Sequence, residues 1–333
     1  MDFLDLFAGI GGFRLGMEMA GHRCIGFCEI DKYARKSYKA IHNTKGEIEL
    51  HDITRVSNEF IQSIGHTDII CGGFPCQTFS VAGKRQGFAD TRGTLFFEIA
   101  RFAAILRPRL LFLENVKGLL NHQGGATFET ILRTLDELGY DVEWECINSK
   151  AYVPQNRERI FIIGHSREER SKQVFPLTRE NQSIVCEKKD IIVVGQLPEK
   201  YHQSSRVFST DSISPTLTTK VESPKILVRK ANKILEEVVP GDSINLAYPH
   251  SKTRRGRVGK QVAHTLLTGD NQAVITENYQ IRKLTPRECW RLQGFPDWAF
   301  ECAAKINSDT QLYKQAGNSV TVPVIFDIAR HLN

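Results

Sequence analysis

One cysteine of this sequence stands where a chain would present a reactive thiol. Cys76 follows the apolar run of residues 69–71, two glycines, Phe74 and Pro75. Pro75 fixes the backbone just before the thiol. Functional sites of doubly wound sheets form at the carboxyl ends of strands, so this position favours a nucleophile over an inert thiol, whereas Cys71 inside the run is better explained by packing. We therefore predict that Cys76 adds covalently to its substrate.

A carboxyl group and two guanidinium groups are placed to assist such a thiol. Glu114 ends a strongly apolar run and could give a proton or a strong hydrogen bond to the substrate. Arg157 and Arg159 occupy alternate positions at the start of a later strand, so both could reach the same base or a phosphate. Asn115 is expected to hold the local backbone around Pro75. Salt bridges or a helix cap are the alternative roles, and the spacing leaves them open.

A second set of residues predicts a pocket for an adenosine-containing cofactor. Residues 5–12 form a glycine-rich turn after the first predicted strand, and glycines there let the backbone approach a ligand closely. Glu29 would end the second strand and accept from ribose hydroxyls, and Asp52 would follow the third strand and accept from an adenine amino group. The turn lacks the pattern G-x-G-x-x-G. This trio therefore favours S-adenosyl-L-methionine, which needs no pyrophosphate cradle.

The elements that must position these residues alternate along the first half of the chain. We predict strands at residues 3–7, 24–28, 68–71, 110–113, 142–147 and 159–164, and helices at residues 12–20, 33–41, 94–106 and 128–138. This alternation predicts an α/β fold with a doubly wound, mostly parallel sheet covered on both faces. From residue 176 to about 280 the runs are short and β-like, with one short helix at 230–239. The helical pattern returns after residue 310 and ends in a helix at 324–332.

The length and composition of the chain are consistent with this organisation. The 333 residues suffice for two domains, which we place at residues 1–175 with 310–333, and at residues 176–309 as a smaller, mostly β or irregular recognition domain with a hinge segment. The net charge of +6 leans toward a polyanionic partner without proving one. We predict no membrane span and no signal peptide. The eight cysteines should be reduced thiols, and their spacing does not match a zinc site, so we predict no metal.

Two features of the second region point to nucleic-acid contact. Residues 252–260 hold five basic residues, among them Arg254, Arg255 and Arg257. Such a run is usually a solvated loop, but here we favour contact with phosphate or bases. A weak internal repeat relates Arg206 and Ser-Pro-Thr-Leu-Thr (214–218) to Arg257 and residues 263–268. The offsets differ by two residues, which leaves chance and a duplicated recognition element both open.

These residues, in this order, resemble the DNA cytosine-5 methyltransferases of bacterial and phage type. The similarity covers nearly the whole chain outside the variable region. It is carried by residues 5–12, 72–77, 114–116, 155–159, 282–289 and 315–320. Residues 282–289 resemble the segment that organises the recognition domain, and residues 315–320 resemble the last motif, which completes the cofactor pocket. The resemblance implies the Rossmann-like fold of the methyltransferases that use S-adenosyl-L-methionine.

The resemblance also implies a mechanism for methylating carbon 5 of cytosine in double-stranded DNA. The target base would flip out of the duplex, Cys76 would attack C6, and Glu114 would assist at N3. C5 would then take the methyl group in line from the sulfonium, and S-adenosyl-L-homocysteine would be the product. Solvent or a bound water would remove the C5 proton, and Cys76 would leave by β-elimination.

Site residues follow from the motifs and from the basic segment. For the cofactor they are Phe7, Ala8, Gly9, Ile10, Gly11, Gly12, Glu29, Ile30, Asp52, Ile53, Pro75, Leu95, Asn318, Ser319 and Val320. For DNA they are Gln77 and the loop residues Ser80, Lys84 and Arg92, then Gln203, Arg206 and Thr216 in a region that resembles a recognition hairpin, and Arg254, Arg255 and Arg257.

Two alternatives stay open at this point. One is an RNA cytosine-5 methyltransferase on the same scaffold, although the Pro-Pro-Cys context and the Cys-Phe-Thr signature of the tRNA-acting branch are both missing here. The other is an inactive DNA-binding relative, against which the intact set of Cys76, Glu114, Arg157 and Arg159 argues. We expect a monomer in the bacterial cytoplasm, associated with the nucleoid. It would be paired with a restriction endonuclease or act as an orphan or phage enzyme.

Overall fold

The computed structural model describes residues 1–75, 95–169, 171–177, 226–229, 235–247, 257–269, 272–277 and 280–332. The strands up to residue 177 are β1 (Asp2–Leu6), β2 (Arg23–Cys28), β3 (Ile48–Leu50), β4 (Ile69–Gly73), β5 (Leu110–Val116), β6 (Tyr140–Asn148), β7 (Gln155–Asn156) and β8 (Glu158–Ser166). The helices are α1 (Gly12–Met19), α2 (Lys32–Ile41), α3 (Asn58–Ile64), α4 (Leu95–Leu106) and α5 (Ala126–Glu137). Short 3₁₀ segments lie at Ile53–Arg55, Lys117–Gly125 and Ser149–Ala151.

All of these strands except β7 form one sheet. Among the described residues it has seven strands, in the order β3-β2-β1-β4-β5-β8-β6. The strands β1 to β5 run parallel to one another, whereas β8 is antiparallel to both β5 and β6. The predicted α/β class with a mostly parallel, doubly wound sheet is confirmed. The reversed direction of β8 was not predicted, because an apolar run indicates a strand but not its direction.

Helices return from residue 286 onward, earlier than predicted. They are α6 (Pro286–Leu292), α7 (Asp297–Ala304), α8 (Asp309–Asn318) and α9 (Val322–Ala329). The first of them begins at a capping box, in which the Thr285 side chain accepts from the Glu288 N–H and the Glu288 side chain accepts from the Thr285 N–H. The sequence Thr-Pro-Arg-Glu (285–288) is a helix start signal. The expectation that helices resume only after residue 310 is therefore wrong.

The remaining strands form small sheets in the second half of the chain. They are β9 (Ile226–Arg229), β10 (Leu235–Val238), β11 (Ser243–Asn245), β12 (Arg257–Gly259), β13 (Ala263–His264), β14 (Gln272–Ile275) and β15 (Ile281–Lys283). The sheets have the orders β10-β9, β12-β11-β14-β15 and β13-β7. No helix in the described ranges is long and apolar enough to cross a membrane.

The short helix predicted at residues 230–239 is wrong where the structure describes it. Residues 235–238 are the strand β10, which pairs with β9 so that Leu235 lies opposite Arg229. Val238 is 1% exposed and packs in a small apolar cluster with Ile244 and Ala273. Pairing with β9 and burial of this side chain stabilise an extended backbone here, and both are tertiary effects that local periodicity does not reveal.

Different helices cover the two faces of the central sheet. On one face Phe3 and Phe112 belong to a cluster with residues of α1 and α9. On the other face Leu4 and Leu111 belong to a cluster with residues of α3, α4 and α5. Consecutive residues of β1 and β5 thus face opposite layers, as the two-residue period of a strand requires.

A third apolar cluster joins the C-terminal helices to α1 and α2. Trp290 of α6 is fully buried, and its indole N–H donates to the Leu312 carbonyl at 3.0 Å. The same cluster contains Leu15 of α1 and Ala34 of α2. Residues 286–304, which we assigned to the recognition domain and hinge, therefore contact the N-terminal helices. The division into two domains stays a prediction.

The contact of α1 with α9 depends on the absence of a side chain at Gly16. A Cβ at this position would lie 2.7 Å from Ile325 Cβ and 2.9 Å from the backbone nitrogen of Phe326. We expect Gly16→Val to destabilise the protein by about 2 kcal/mol and to lower the melting temperature by roughly 3 °C, because the helices must separate. Differential scanning fluorimetry measures this shift.

Gly118→Ala is the matched control, since a Cβ at residue 118 would meet its nearest atom, Val116 Cγ2, at 4.0 Å. Its melting temperature should stay close to that of the wild type. An unchanged melting temperature for Gly16→Val would contradict the described packing of α1 on α9.

Candidate active site

A cavity of about 420 Å³ opens at the carboxyl ends of β1, β4 and β5. β1 and β4 are neighbours, and the chain leaves them toward opposite ends of the sheet, which creates a crevice at this point. The cavity brings both predicted sets of residues together. From the cofactor set it is lined by Phe7, Gly9, Ile10, Glu29, Ile30, Asp52, Ile53, Pro75, Leu95 and Asn318, and from the catalytic set by Glu114, Arg157 and Arg159.

The turn after β1 is built from residues with left-handed backbone. Phe7, Gly9 and Gly11 have φ angles of 55°, 57° and 84°. The turn is held by the Ala8 N–H, which donates to the Cys28 carbonyl at 3.0 Å. A Cβ at Gly9 would meet no atom within 4 Å, so the bare backbone here faces open space that a ligand can enter. Phe7 adopts the same conformation with a side chain, which costs about 1–2 kcal/mol and marks a constrained position.

Some predicted cofactor residues lie behind the cavity wall rather than on it. In the described structure these are Ala8, Gly11, Gly12, Ser319 and Val320. A Cβ at Gly12 would lie 2.7 Å from Ser319 Oγ and 2.9 Å from Val320 Cγ2. A Cβ at Gly11 would overlap the His42 ring. These glycines allow the start of α1 to pack closely against its neighbours.

The carboxylate of Glu29 is held in place by two backbone donors. The Gly9 N–H donates to Oε2 at 2.8 Å, and the Asp31 N–H donates to Oε1 at 2.7 Å. Burial raises the pKa of Glu29, and these two hydrogen bonds oppose that effect. Each carboxylate oxygen can accept more than one hydrogen bond, so the group can still receive the hydroxyls of a ligand.

Asp52 and Ile30 also line the cavity. Asp52 accepts from the Thr54 hydroxyl at 2.7 Å and from the Thr54 N–H at 3.1 Å. The hydroxyl contact lowers the pKa of Asp52, so its carboxylate is charged at neutral pH. Ile30 is 67% exposed, which leaves an apolar surface that a planar ring could cover.

Glu114 and Arg159 form an ion pair across β5 and β8. Arg159 Nε lies 2.9 Å from Glu114 Oε1, and the two side chains are 15% and 10% exposed. The Nε–H of Arg159 is not aligned for a hydrogen bond to Oε1, and this buried oxygen has no hydrogen-bond partner among the described residues. Opposite on β4, a Cβ at Gly73 would lie 3.0 Å from Glu114 Oε2, so the glycine leaves room for the carboxyl group. Glu114 also lines the cavity, where its carboxyl group can reach a ligand.

Arg157 lines the cavity but makes different contacts. It is 3% exposed, and its Nη2 donates to the Ser319 carbonyl at 2.7 Å and to the Gly317 carbonyl at 3.4 Å. Burial lowers the pKa of Arg157, and the charge of Arg159 lowers it further. Arg159 thus faces Glu114, while Arg157 binds the backbone at the end of α8.

Asn115 holds the backbone that leads to the predicted nucleophile. Its Nδ2 donates to the Phe74 carbonyl at 3.0 Å, and its Oδ1 accepts from the Val116 N–H at 2.8 Å. The prediction that Asn115 holds the loop around Pro75 is confirmed. Cys76 is the next residue and lies outside the described residues, so its position relative to Glu114 stays a prediction.

Of the residues predicted to contact DNA, Arg257 is the one that the structure describes. It begins β12 and lines a second cleft, of about 470 Å³, together with Lys117 and Arg159. These cationic side chains suit a polyanion. The other predicted DNA contacts lie outside the described residues: Gln77, Ser80, Lys84, Arg92, Gln203, Arg206, Thr216, Arg254 and Arg255.

Several residues of the two clefts were not named as site residues, although Gly73, Phe74, Val116, Gln315 and Gly317 belong to the motif segments. The main cavity is also lined by Cys28, Asp31, Ala34, His51, Gly73, Phe74, Val116, Lys314, Gln315 and Gly317. Asp31 could have been found from the sequence, because an Asp before a helical pattern is a typical N-cap. Lys314 and Gln315 depend on the packing of α8. Thr265, whose hydroxyl donates to the Asn156 carbonyl at 2.8 Å, lines the second cleft and was noted only as part of the repeat.

Comparisons with known proteins identify the family of this chain. The sequence model of the C-5 cytosine-specific DNA methylase family matches residues 1–333. The chain is 40% identical over 331 residues to the type II methyltransferase M.HpaII of Haemophilus parainfluenzae, covering 97% of this chain and 86% of that protein. It is 31% identical over 433 residues to the orphan methyltransferase M.SPRI of Bacillus phage SPR, covering 99% and 96%.

Among solved structures, the S. pombe Dnmt2 methyltransferase matches with a TM-score of 0.59 at 19% identity, covering 100% of this chain and 98% of that one. This likeness supports the fold. The resemblance predicted from the motifs is confirmed, and the chain belongs to the C-5 cytosine-specific DNA methylase family.

Proposed function

We propose that this chain transfers a methyl group from S-adenosyl-L-methionine to C5 of a flipped cytosine in duplex DNA, through a covalent bond between Cys76 and C6. One observation carries the proposal. A single cavity is lined by Glu29 and Asp52 on one side and by Glu114 and Arg159 on the other. A cofactor and a base bound to these two sides would lie next to each other.

The groups on the cofactor side fit S-adenosyl-L-methionine. The fixed carboxylate of Glu29 would accept from the ribose hydroxyls, Asp52 would accept from the adenine amino group, and Ile30 would pack on the ring. Carboxylates suit a cofactor that carries a positive sulfonium, and they would repel a phosphate. When bound, the cofactor supplies an electrophilic methyl group.

The groups on the other side fit a cytosine that has left the duplex. Glu114 lines the cavity beside Arg159, and its carboxyl group would form the hydrogen bond to N3. Arg159 presents donors that would hold the O2 carbonyl. These contacts would offset the cost of unstacking the base, which is a few kcal/mol.

Cys76 directly follows Pro75 on the cavity wall, and Asn115 fixes the preceding backbone. Attack of its thiolate forms the S–C6 bond and moves an electron pair toward C5 and N3, where Glu114 provides the hydrogen bond or proton. C5 then forms its bond to the methyl group while the sulfur–methyl bond breaks and its electron pair stays on sulfur, which would leave S-adenosyl-L-homocysteine. N3 gives back any proton that it received. Water takes the C5 proton, and the electron pair of that C–H bond restores the C5–C6 double bond and expels the thiolate.

The family and its relatives favour DNA over RNA as the substrate. The family description names DNA, and the relative M.HpaII is named as a type II methyltransferase. M.SPRI is named as an orphan methyltransferase, so both a paired and an orphan role are compatible with the chain. Bisulfite sequencing of DNA from cells that express the protein tests the activity and reveals the target sequence. Absence of methylcytosine under good expression would contradict the proposal.

Cys76→Ser should abolish methyl transfer while the protein still binds S-adenosyl-L-methionine, because a serine hydroxyl is a much weaker nucleophile than a thiolate. Covalent trapping on duplex DNA with 5-fluorocytosine at the target should also disappear. Transfer of labelled methyl groups and denaturing gels measure both effects. Cys146→Ser, which changes an exposed thiol of β6, is the control and should trap normally. A stable covalent complex with Cys76→Ser would identify another nucleophile.

Glu114→Gln should lower kcat by about 100-fold or more, because an amide cannot deliver a proton to N3. Its affinity for S-adenosyl-L-methionine should stay close to wild type, since Glu114 lies on the base side. Single-turnover kinetics and calorimetric titration separate the two quantities. The control is Glu137→Gln on α5, a surface residue paired with Arg133. A wild-type kcat for Glu114→Gln would exclude the proposed role.

Arg257→Ala tests whether Arg206 and Arg257 belong to two recognition elements. Arg257 lines the cationic cleft beside Arg159, so its loss should change the set of methylated sites seen by bisulfite sequencing. Arg133→Ala, on the surface of α5, is the control for loss of one positive charge. Unchanged methylation at every site in Arg257→Ala would remove the support for this idea.

A further inference from the structure

An ion pair at the cavity has no part in the chemistry proposed above. Lys314 Nζ lies 2.6 Å from Asp31 Oδ2, and the side chains are 44% and 26% exposed. Both residues line the cavity. Lys314 belongs to α8 and Asp31 precedes α2, so the pair joins segments 283 residues apart. An exposed pair of this kind stabilises a fold by only about 0–1 kcal/mol, which makes stability a poor explanation for it.

Asp31 connects Lys314 to the carboxylate of Glu29. The Asp31 N–H donates to Glu29 Oε1 at 2.7 Å, and Asp31 Oδ1 accepts from the Tyr33 N–H at 2.8 Å as the N-cap of α2. Arg35 Nη1 donates to the Glu29 carbonyl at 2.7 Å. The turn at residues 29–31 is therefore closely tied to the start of α2, and Lys314 ties the same turn to α8.

The end of α8 also lines the cavity. Gly317 and Asn318 belong to the same helix as Lys314 and Gln315, and all four residues line the cavity. Gln315 Nε2 donates to the Tyr33 carbonyl at 3.2 Å, which is a neutral contact between the same two helices. The charged contact of Lys314 with Asp31 thus joins α8 to the turn before α2 at the edge of this cavity.

We propose that Lys314 is a positioning residue for the cofactor: through Asp31 it holds the Glu29 carboxylate in the orientation that accepts the ribose hydroxyls. The inference rests on the proposed use of S-adenosyl-L-methionine. Burial disfavours the charged form of Asp31, but the contacts with Lys314 and with the N–H groups of α2 outweigh it and lower the pKa, so the pair is charged at neutral pH. Without Lys314, Asp31 would present an unbalanced charge to the cavity, and the turn could shift.

The test measures binding of two ligands to the full chain without DNA. S-Adenosyl-L-methionine carries an α-carboxylate, whereas 5′-methylthioadenosine carries the same ribose and adenine but no carboxylate. Lys314→Met keeps most of the side-chain length and removes the charge, and it should raise the Kd of both ligands by about tenfold in calorimetric titrations. Lys314→Arg should restore most of the affinity. The kcat of Lys314→Met at saturating cofactor should stay within about twofold of wild type, since methyl transfer uses other groups.

Lys39→Met is the matched control. Lys39 pairs with Glu49 at 2.7 Å, with side chains 49% and 31% exposed, so this variant breaks an ion pair of nearly the same length and exposure that also involves α2. Neither partner lines the cavity. Both variants should lose similar, small amounts of thermal stability, but only Lys314→Met should lose affinity for the two ligands.

A double variant separates positioning from direct contact. Asp31→Asn keeps an N-cap side chain, and combining it with Lys314→Met should weaken binding no more than either change alone, because a single interaction is lost. Weaker binding of S-adenosyl-L-methionine with unchanged binding of 5′-methylthioadenosine would show that Lys314 contacts the carboxylate directly and would overturn the proposal. Wild-type Kd values for Lys314→Met would overturn it while leaving the proposed function intact. A wild-type chain that binds neither ligand would overturn both.

Discussion

The neighbouring position of β1 and β4 in the central sheet determines where this protein can act. The chain leaves these strands toward opposite ends of the sheet, so their carboxyl ends border a crevice that the helices do not cover. Gly9 and Gly73 preserve this space. A Cβ at Gly9 would enter open space, and a Cβ at Gly73 would press on the Glu114 carboxyl group. The residues after β2 and β3 and those at the ends of β5 and β8 thereby line one cavity.

Charge is distributed unevenly around this crevice. On the cofactor side, Glu29 and Asp52 present carboxylates held by backbone and hydroxyl donors. On the base side, Glu114 is balanced by Arg159 at 2.9 Å. A cationic sulfonium suits the first environment, and a neutral base that gains charge at N3 suits the second. The adjoining cleft, lined by Lys117, Arg159 and Arg257, has the sign that a phosphate backbone requires.

Much of the fold and of the cavity could be predicted from the sequence because the signals are local. Glu29 and Glu114 stand at or directly after the ends of apolar runs, and the carboxyl ends of parallel strands meet at one edge of a sheet. The predictions that failed depend on long-range pairing. The strand β10 forms by pairing with β9, and the direction of β8 is set by its neighbours. The periodicity of the sequence shows neither the pairing nor the direction.

The same distinction applies to single side chains. The spacing of Arg157 and Arg159 places both at the cavity, but that Arg157 binds the carbonyls of Gly317 and Ser319 follows only from how α8 packs. The pair of Lys314 with Asp31 likewise joins distant segments and leaves no pattern in the sequence. Local sequence therefore predicts which groups face the substrate better than it predicts which groups hold them there.

A crystal structure of the chain trapped on duplex DNA with 5-fluorocytosine, in the presence of S-adenosyl-L-homocysteine, tests most directly whether one cavity holds both the cofactor and the flipped base. We expect a bond between Cys76 Sγ and C6, Glu114 within hydrogen-bond distance of N3, and the nucleoside between Glu29 and Asp52. A base bound outside this cavity, or a nucleoside that does not contact Glu29, would contradict the account.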